Sequence, residues 1–289
     1  MKNLIYLLLL SMTIPSCKKE EARQVNQYTI EQFYTNTRFE GGTFSADETR
    51  LLVGSDETGI FNLYEITLAD GAKKQLTTST VESYYPVDYV PGMSALIYSA
   101  DKGGNEIDHL YLLEDNGKTT DLTPGENNKV SFFKWSEDKK SMFYISNIRD
   151  PKYFDVYKMN IGEWIPTLFY ENKSGLDVNE ISDDEKTLVV SKTVTTSENE
   201  LYLVNRETDT QTELSLPDQK GRYGVSGISK DSKYVFYLTD GGKEFTYLVQ
   251  YDMNSGERKV LYETNWDVMY TFLSEKETYR VIAINEDGK

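Results

Sequence analysis

The sequence predicts an all-β protein, a β-propeller made of four-stranded blades. A short motif recurs at a nearly constant interval, each interval contains alternating strand patterns, and no window beyond the N-terminal segment keeps a helical period. The motif is clearest at Trp135, where the aromatic residue precedes a polar turn (136–140) and an apolar strand (141–146). A repeat of this length that consists of strands indicates one blade per repeat.

Six repeats follow one another along the chain. Their first residues are 45, 46, 46, 47 and 44 positions apart, at Phe44, Tyr89, Trp135, Ile181, Ile228 and Phe272. Within a repeat, another alternating strand leads to a tight turn and a last strand. In the first repeat these are residues 61–66, the Asp70-Gly71 turn and a strand that ends at Thr77. An Asp-Gly pair between alternating strands is a strong hairpin signal.

The sixth repeat is shorter than the others. Its inner hairpin strand lies at 279–284, and the sequence ends at Lys289, in the turn where the next strand is due. We therefore expect about five and a half blades, an incomplete ring with an exposed sheet edge. This pattern favours a piece of a longer protein.

Composition excludes some classes of function. The chain is 38% hydrophobic and 13% aromatic, enough for a packed core. Its formal net charge is −16, so the averaged field repels a phosphate backbone and nucleic acid is not expected as a partner. One histidine and one cysteine leave too few ligands for a transition-metal site. We expect no metal and no cofactor.

The N-terminal segment predicts export. Residues 1–16 combine a positive start, a short apolar core and small residues before Cys17, and the core is too short to span a bilayer. This segment resembles the lipobox of bacterial lipoproteins, in which the cysteine carries the lipid; an ordinary signal with an incidental cysteine is the alternative. The expected organisation is a lipoprotein signal peptide (1–16), a tether (17–27) and a partial propeller (28–289). Such a protein would be lipid-anchored in the bacterial cell envelope, periplasmic or outer-membrane facing.

The usual catalytic motifs fail in this sequence. Residues 224–228 approach the Gly-x-Ser-x-Gly nucleophile elbow, but the second glycine falls one residue early. His109 is the single histidine, so a Ser-His-Asp relay would have to be built around it. The alternative is a structural role for His109, in which the ring is partly buried and its nitrogens form hydrogen bonds with a neighbouring turn. Residues 101–106 lack the alternating oxygens of a calcium loop, which favours a tight hairpin connection that includes Glu106.

One loop departs from the ordinary turn pattern. Residues 146–151 place Arg149 beside Asp150, and propeller loops of this kind often face a pore or a partner. A self-contained salt link between Arg149 and Asp150 is an equally good interpretation, and both stay open here. Together with Glu106 and His109, these residues are the candidate pore or loop contacts.

Several stretches resemble one known group of proteins, in the same order along the chain. They are residues 28–33, 103–106 with His109 and Tyr111, 121–126, 146–147 and 149–151 with Phe154 and Asp155, 237–240 with Glu244 and Phe245, and 266–268 with Tyr270. They resemble the N-terminal propeller of envelope peptidases of the prolyl oligopeptidase family, from about Tyr28 to the last residue. The resemblance implies a seven- or eight-bladed propeller that caps a C-terminal α/β-hydrolase domain and admits only short peptides to the enclosed catalytic site.

The resemblance also implies what this chain lacks. The hydrolase domain is absent from the sequence, and with it the catalytic Ser, Asp and His, so we expect no peptidase activity from this chain alone. The expected partners are short peptides, the absent hydrolase domain and, through the lipid, the membrane. One alternative is a stand-alone TolB-like propeller lipoprotein that binds a protein in the envelope. Another is a propeller enzyme such as a glycosidase, which needs two carboxylates about 5 to 10 Å apart, and the sequence selects no such pair.

Overall fold

The computed structural model describes residues 25–289. The chain divides into two compact units, residues 1–37 and residues 38–289. The predicted signal peptide, Cys17 and most of the predicted tether lie outside the described residues. No helix in the described range is long and apolar enough to cross a membrane.

The described part of the first unit, residues 25–37, contains one short helix, α1 (Ile30–Tyr34). A capping box fixes its start: the Thr29 hydroxyl accepts from the Gln32 backbone N–H at 3.3 Å, and the Gln32 side chain accepts from the Thr29 backbone N–H at 2.8 Å. The Thr-x-x-Gln signal is present in the sequence, but a helix of five residues is too short to show a helical period.

The second unit contains 22 strands in six antiparallel sheets. The first sheet has β1 (Phe39–Phe44), β2 (Arg50–Ser55), β3 (Asn62–Thr67) and β4 (Lys73–Gln75), and the second has β5 (Tyr85–Tyr89), β6 (Ala95–Ala100), β7 (His109–Glu114) and β8 (Thr119–Asp121). The third has β9 (Val130–Trp135), β10 (Ser141–Asp150), β11 (Tyr153–Asn160) and β12 (Pro166–Tyr170). The fourth has β13 (Asp177–Ile181), β14 (Thr187–Thr195), β15 (Glu198–Asn205) and β16 (Thr210–Glu213). The fifth has β17 (Tyr223–Ile228), β18 (Tyr234–Thr239), β19 (Tyr247–Asp252) and β20 (Arg258–Tyr262), and the sixth has β21 (Asp267–Leu273) and β22 (Arg280–Asn285).

Every four-stranded sheet is a simple meander in sequence order, which confirms the predicted all-β propeller of four-stranded blades. The sixth sheet has two strands, in agreement with the shorter sixth repeat. The sixth sheet packs on the fifth through β17 and β19, and the first packs on the second through β5. Within residues 38–289, no comparable packing joins the first sheet to the sixth.

The core lies between neighbouring sheets. Strand side chains alternate between the two faces, so in β10 Met142 packs towards the second sheet and Phe143 packs towards the fourth. Four apolar clusters fill the interfaces between the first five sheets in turn. Each fully buried Leu, Phe or Met contributes about 1.5–3 kcal/mol, so these interfaces supply most of the driving force for assembly.

The first strand of each sheet lies nearest the propeller axis. First strands of neighbouring sheets touch one another, as β1 touches β5 and β13 touches β17. Because the sheets are meanders, the turns between first and second strands share one end of the propeller with those between third and fourth strands. We call this the turn end. The hairpins between second and third strands and the connections between sheets lie at the opposite end, which we call the loop end.

A serine hook shapes the turns between first and second strands. In the third sheet, the Ser136 hydroxyl donates to Asp138 at 2.7 Å, and Asp138 accepts from the Lys140 backbone N–H at 3.1 Å. Lys139 then adopts a left-handed φ of 56°, which completes the tight turn. Ser45, Ser182 and Ser229 make the same hydroxyl-to-aspartate bond, at 2.5, 2.6 and 2.7 Å.

The carboxylates in these turns lead us to expect that acid lowers the free energy of unfolding. Hydrogen bonds from Ser45 and Thr49 lower the pKa of Asp47 to about 2, and a bond from Ser136 lowers the pKa of Asp138. A carboxylate whose folded pKa lies below its unfolded value of about 3.9 stabilises the fold above that value and loses the contribution as pH falls towards the folded pKa. We expect the free energy of unfolding in urea to fall between about pH 4 and pH 2.

The Asp47→Asn variant tests the origin of this effect, because it should flatten the acid dependence. Asp115→Asn is the matched control: among the described hydrogen bonds the Asp115 carboxylate accepts none, and in its turn it is the Asn116 side chain that accepts from the Lys118 backbone N–H. An Asp47→Asn protein with the wild-type pH profile would contradict the assignment.

Each first strand also carries a β-bulge where it pairs with the second strand. The register of pairing shifts in all six sheets, and in the sixth the extra residue, Met269, lies two positions earlier relative to the turn serine than in the third to fifth sheets. The extra residue is Val87 in the second sheet, Phe133 in the third and Asn179 in the fourth. A bulge bends a strand and re-aims the side chains that follow it. The residues directly after these bulges, Asp88 and Lys134 among them, reach the neighbouring sheet.

Candidate functional site

The candidate site is a group of charged side chains on the turns and inner strands of the third to sixth sheets. We call it the axial charge cluster, and it contains Lys134, Glu137, Glu180, Asp183, Lys230, Glu275 and Glu277. Four of these residues, Glu137, Asp183, Lys230 and Glu275, occupy the position directly after the turn serine in successive repeats. In the third, fourth and fifth sheets the serine hook fixes the backbone of the turn and leaves this side chain projecting. Three of the four positions carry a carboxylate and one carries a lysine.

Lys230 connects three sheets at the turn end. Its ammonium lies 3.2 Å from Glu137 Oε1, which links the fifth sheet to the third and bypasses the fourth. Its backbone N–H donates to Glu277 Oε1 of the sixth sheet at 2.8 Å. The hydrogen bond with Glu137 raises the pKa of Lys230, so the lysine is charged at neutral pH.

Lys134 joins the third sheet to the fourth on the inner strands. Its ammonium donates to Glu180 Oε1 at 2.8 Å and to the Ile181 carbonyl at 2.9 Å, and it lies 3.8 Å from Asp183. Burial raises the pKa of Asp183, and the Glu137 carboxylate acts in the same direction, whereas Lys134 opposes it. The burial of Asp183 thus makes its ionised form less favourable than it is in water.

The cluster borders a cavity of about 560 Å³ at the turn end. Its lining includes Glu137, Asp183, Lys230, Glu275 and the ring of Phe272. This arrangement is suited to attracting or excluding charged groups at an opening, because ionised side chains dominate the local potential. Within the described residues, no group of three or more His, Cys, Asp or Glu side chains is placed to hold a metal ion.

His109 lies far from this cluster, at the loop end of the second sheet. Its ring is buried, with Nδ1 2.8 Å from Asp121 Oδ2 and Nε2 2.9 Å from the Gly125 carbonyl. Both ring nitrogens therefore face oxygen acceptors, one at the end of β8 and one in the connection that follows it, as expected if His109 has a structural role. A ring held in this way has no free nitrogen to serve as a general base.

Arg149 also has a structural partner. Its guanidinium bonds Asp155 at 2.6 and 2.9 Å and the Asn172 carbonyl at 3.1 Å, and Glu171 lies 3.6 Å away. The salt link considered between Arg149 and Asp150 is wrong. Asp150 instead accepts from the Lys152 backbone N–H at 2.9 Å in the hairpin turn.

The fourth candidate, Glu106, lies in the connection between β6 and β7. It has a left-handed φ of 59°, and its backbone N–H donates to Asp101 at 2.8 Å. All four candidates lie at the loop end: Glu106 is in the connection between β6 and β7, His109 begins β7, and Arg149 and Asp150 end β10. Among the described contacts, none joins the pair from the second sheet to the pair from the third. Sequence reasoning missed the axial charge cluster, although a charged residue after the turn serine in four successive repeats was a readable signal.

Comparison with known proteins identifies the family. A sequence model of the prolyl oligopeptidase N-terminal β-propeller domain matches residues 86–289, more than half of the chain. The chain belongs to this family. Its propeller domain therefore carries the fold of the prolyl oligopeptidase group, as the sequence resemblance implied.

Individual relatives of this family propeller are distant. Dipeptidyl aminopeptidase BIII of Pseudoxanthomonas mexicana is 26% identical over 240 residues, which cover 79% of this chain and 34% of that protein. The chain thus spans about a third of that relative's length. A solved prolyl endopeptidase matches 86% of this chain and 39% of its own with a TM-score of 0.62 at 16% identity. TolB from Acinetobacter baumannii matches 76% of this chain and 53% of its own with a TM-score of 0.50 at 16% identity. At these identities, the structural matches show the propeller fold alone.

Proposed function

We propose that this chain is the substrate-restricting propeller of an envelope serine peptidase that acts on short peptides. Membership of the prolyl oligopeptidase family and the similarity to a dipeptidyl aminopeptidase support the peptidase assignment. The observation that carries the restricting role is the Lys230 to Glu137 ion pair, which ties turns of non-adjacent sheets together at the turn end. An opening crossed by paired side chains admits an extended peptide more readily than a folded protein.

The direction of the chain supports a place for the catalytic domain. Each sheet is a four-stranded meander, so its first strand starts and its last strand ends at the loop end. A domain joined to the propeller by its chain ends would therefore be attached at the loop end, and the turn end would remain free as an entrance. In this proposal the nucleophile and its relay lie in an α/β-hydrolase domain outside the present sequence, and Cys17 anchors the protein to the envelope membrane.

The test compares this chain with the product of the whole reading frame that contains it. The gene is sequenced past the codon for Lys289, and both proteins are assayed with dipeptidyl chromogenic substrates and with peptides of increasing length. We expect no turnover by this chain. For the whole product we expect cleavage of short peptides only, with inhibition by a serine-directed phosphonate. Turnover by this chain alone, or a reading frame without a hydrolase domain, would overturn the proposal.

A second candidate is a propeller lipoprotein that binds a protein partner, as in the TolB-like alternative. The hairpins β10–β11 and β14–β15 are longer than their counterparts in the other sheets, and Ile148 and Val194 near their tips are exposed. The projecting tips of these two hairpins offer a surface that a protein partner could contact. A reading frame that stops after the propeller would make this candidate the leading one.

A further inference from the structure

We propose that Lys230 is a salt-sensitive latch that holds the turn end of the propeller narrow. This inference extends the proposed function and rests on it in one respect only, namely that the opening at the turn end is the entrance for peptides. The latch itself is a property of residues 38–289 and can be tested without any peptidase activity.

The geometry of the ion pair carries the inference. Sheets in this unit pack in sequence order, so most contacts between sheets join neighbours. Lys230 and Glu137 are 93 residues apart and belong to the fifth and third sheets. Their side chains meet across the cavity at the turn end, where Asp183 of the intervening sheet also lies. A bond between non-adjacent sheets restrains the width of the opening in a way that a bond between neighbours cannot.

The balance of charge around the cavity determines how the turns should move when Lys230 is lost. Four carboxylates border the cavity, at Glu137, Asp183, Glu275 and Glu277, together with the ammonium of Lys230 and that of Lys139. Lys134, on the inner strand beside them, is already bound to Glu180 and to a backbone carbonyl. If Lys230 is removed, the carboxylates of the third, fourth and sixth sheets face one another with less compensation. Like charges repel, so the turns should move apart.

The exposure of the pair makes it reversible. The side chains of Lys230 and Glu137 are 44% and 49% exposed. Charges in contact with water are screened by salt, with a screening length of about 10 Å at 0.1 M and about 3 Å at 1 M. We therefore expect the Lys230 to Glu137 pair to be formed at low ionic strength and largely broken at high ionic strength.

A zero-length cross-link measures the latch directly. A water-soluble carbodiimide adds to the Glu137 carboxyl to give an O-acylisourea. The deprotonated Lys230 amine attacks its acyl carbon, releases the carbodiimide as its urea and forms an amide, so the linked peptides weigh one water less than the unlinked pair. Peptide mass spectrometry gives the linked fraction. We expect that fraction to fall at least threefold between about 0.05 and 1 M sodium chloride as screening increases.

The Lys158 to Glu185 pair is the internal control in the same sample. It joins neighbouring sheets at 2.6 Å, and its side chains are only 26% and 28% exposed. Its cross-link should change less with salt. Absence of the Lys230 to Glu137 link at low salt, or equal salt dependence of both links, would overturn the proposal.

A variant gives an independent measurement. Lys230→Met removes the ammonium but keeps the backbone N–H that binds Glu277. In hydrogen–deuterium exchange at low salt, we expect amides in the turns at 136–140 and 274–277 to exchange several-fold faster. Lys233→Met is the matched control, because Lys233 pairs at 2.8 Å with Asp231 of its own turn and bridges no sheets. Unchanged exchange in Lys230→Met would contradict the latch, and Lys230→Gln serves if the methionine variant does not fold.

The two proposals can fail separately. If the cross-link is salt-sensitive but the reading frame has no hydrolase domain, the latch proposal stands and the peptidase proposal is overturned. If the whole product cleaves peptides but no Lys230 to Glu137 cross-link forms, the peptidase proposal stands and the latch proposal is overturned.

Discussion

Replacement of Asp155 by alanine is expected to lower the free energy of unfolding by about 3–5 kcal/mol. The Asp155 side chain is fully buried, and its carboxylate accepts two bonds from Arg149 and one from the Asn172 backbone N–H at 2.8 Å. The alanine variant leaves these donors without their acceptor and opens a cavity. Removing one partner of a buried ion pair is far more costly than removing a surface pair, because the remaining polar groups stay desolvated.

Two further variants show whether the buried carboxylate is responsible. Asp155→Asn keeps one oxygen acceptor for Asn172 but loses the charge, so its loss of stability should be intermediate. Glu207→Ala removes one member of an exposed pair with Lys186, at 3.9 Å, and should have little effect. Urea unfolding followed by tryptophan fluorescence measures all three variants. If Asp155→Ala were as stable as Glu207→Ala, the pair would not hold the loop end together.

This pairing also shows where sequence reasoning reached its limit. The sequence marks Arg149 as unusual, but Asp150, the acidic residue next to it in sequence, is not its partner. Register decides the real partner, because Ser146 pairs with Asp155 in the hairpin and a bulge follows before Asp150 pairs with Tyr153. A shift of one residue would send the side chains to opposite faces of the sheet. Such a shift cannot be read from residue types alone.

The repeats could be predicted because their signals are local. The aromatic residue, the serine turn and the apolar strand lie within about a dozen residues at Trp135. The same order recurs in the other repeats with local changes, such as Ile181 and Ile228 at the aromatic position and Val90-Pro91-Gly92 in the turn. Tight turns and alternation are specified by neighbouring residues, so blade number and strand order follow from the sequence. The inner-strand bulges depend on pairing between two strands, and Asn179 gives no sign in the sequence that it is an extra residue.

The axial charge cluster required the assembled sheets. Its members are distributed over four repeats, and Lys230 meets Glu137 only when the inner strands lie around a common axis. The sequence offered many carboxylates and no rule for choosing among them. In hindsight the repeat supplies the rule, since equivalent positions in successive blades face the same axis.

Asp88→Ala is the second change with a large expected effect, a loss of about 2–4 kcal/mol in the free energy of unfolding. Asp88 follows the bulge in β5 and joins three sheets. Its carboxylate accepts from the Thr43 hydroxyl of the first sheet at 2.7 Å and from the Trp135 indole N–H of the third at 2.8 Å. It also accepts from the Tyr89 backbone N–H at 2.8 Å. Trp135 is buried, so its N–H would find no water when the carboxylate is removed.

The Asp88→Asn variant separates hydrogen bonding from charge, because its amide keeps one oxygen that can still accept from Trp135 or Thr43. We expect it to lose about half as much stability as the alanine variant, with Thr43→Val reporting the contribution of the first sheet alone. Tryptophan fluorescence and amide exchange together distinguish local from global effects. If Asp88 couples the sheets, exchange should accelerate in the first and third sheets as well as in β5. Acceleration confined to β5 would show that each blade is stable without its neighbours' inner strands. The hydrogen bonds made by the residues after the bulges would then serve to position side chains near the axis and not to hold the blades together.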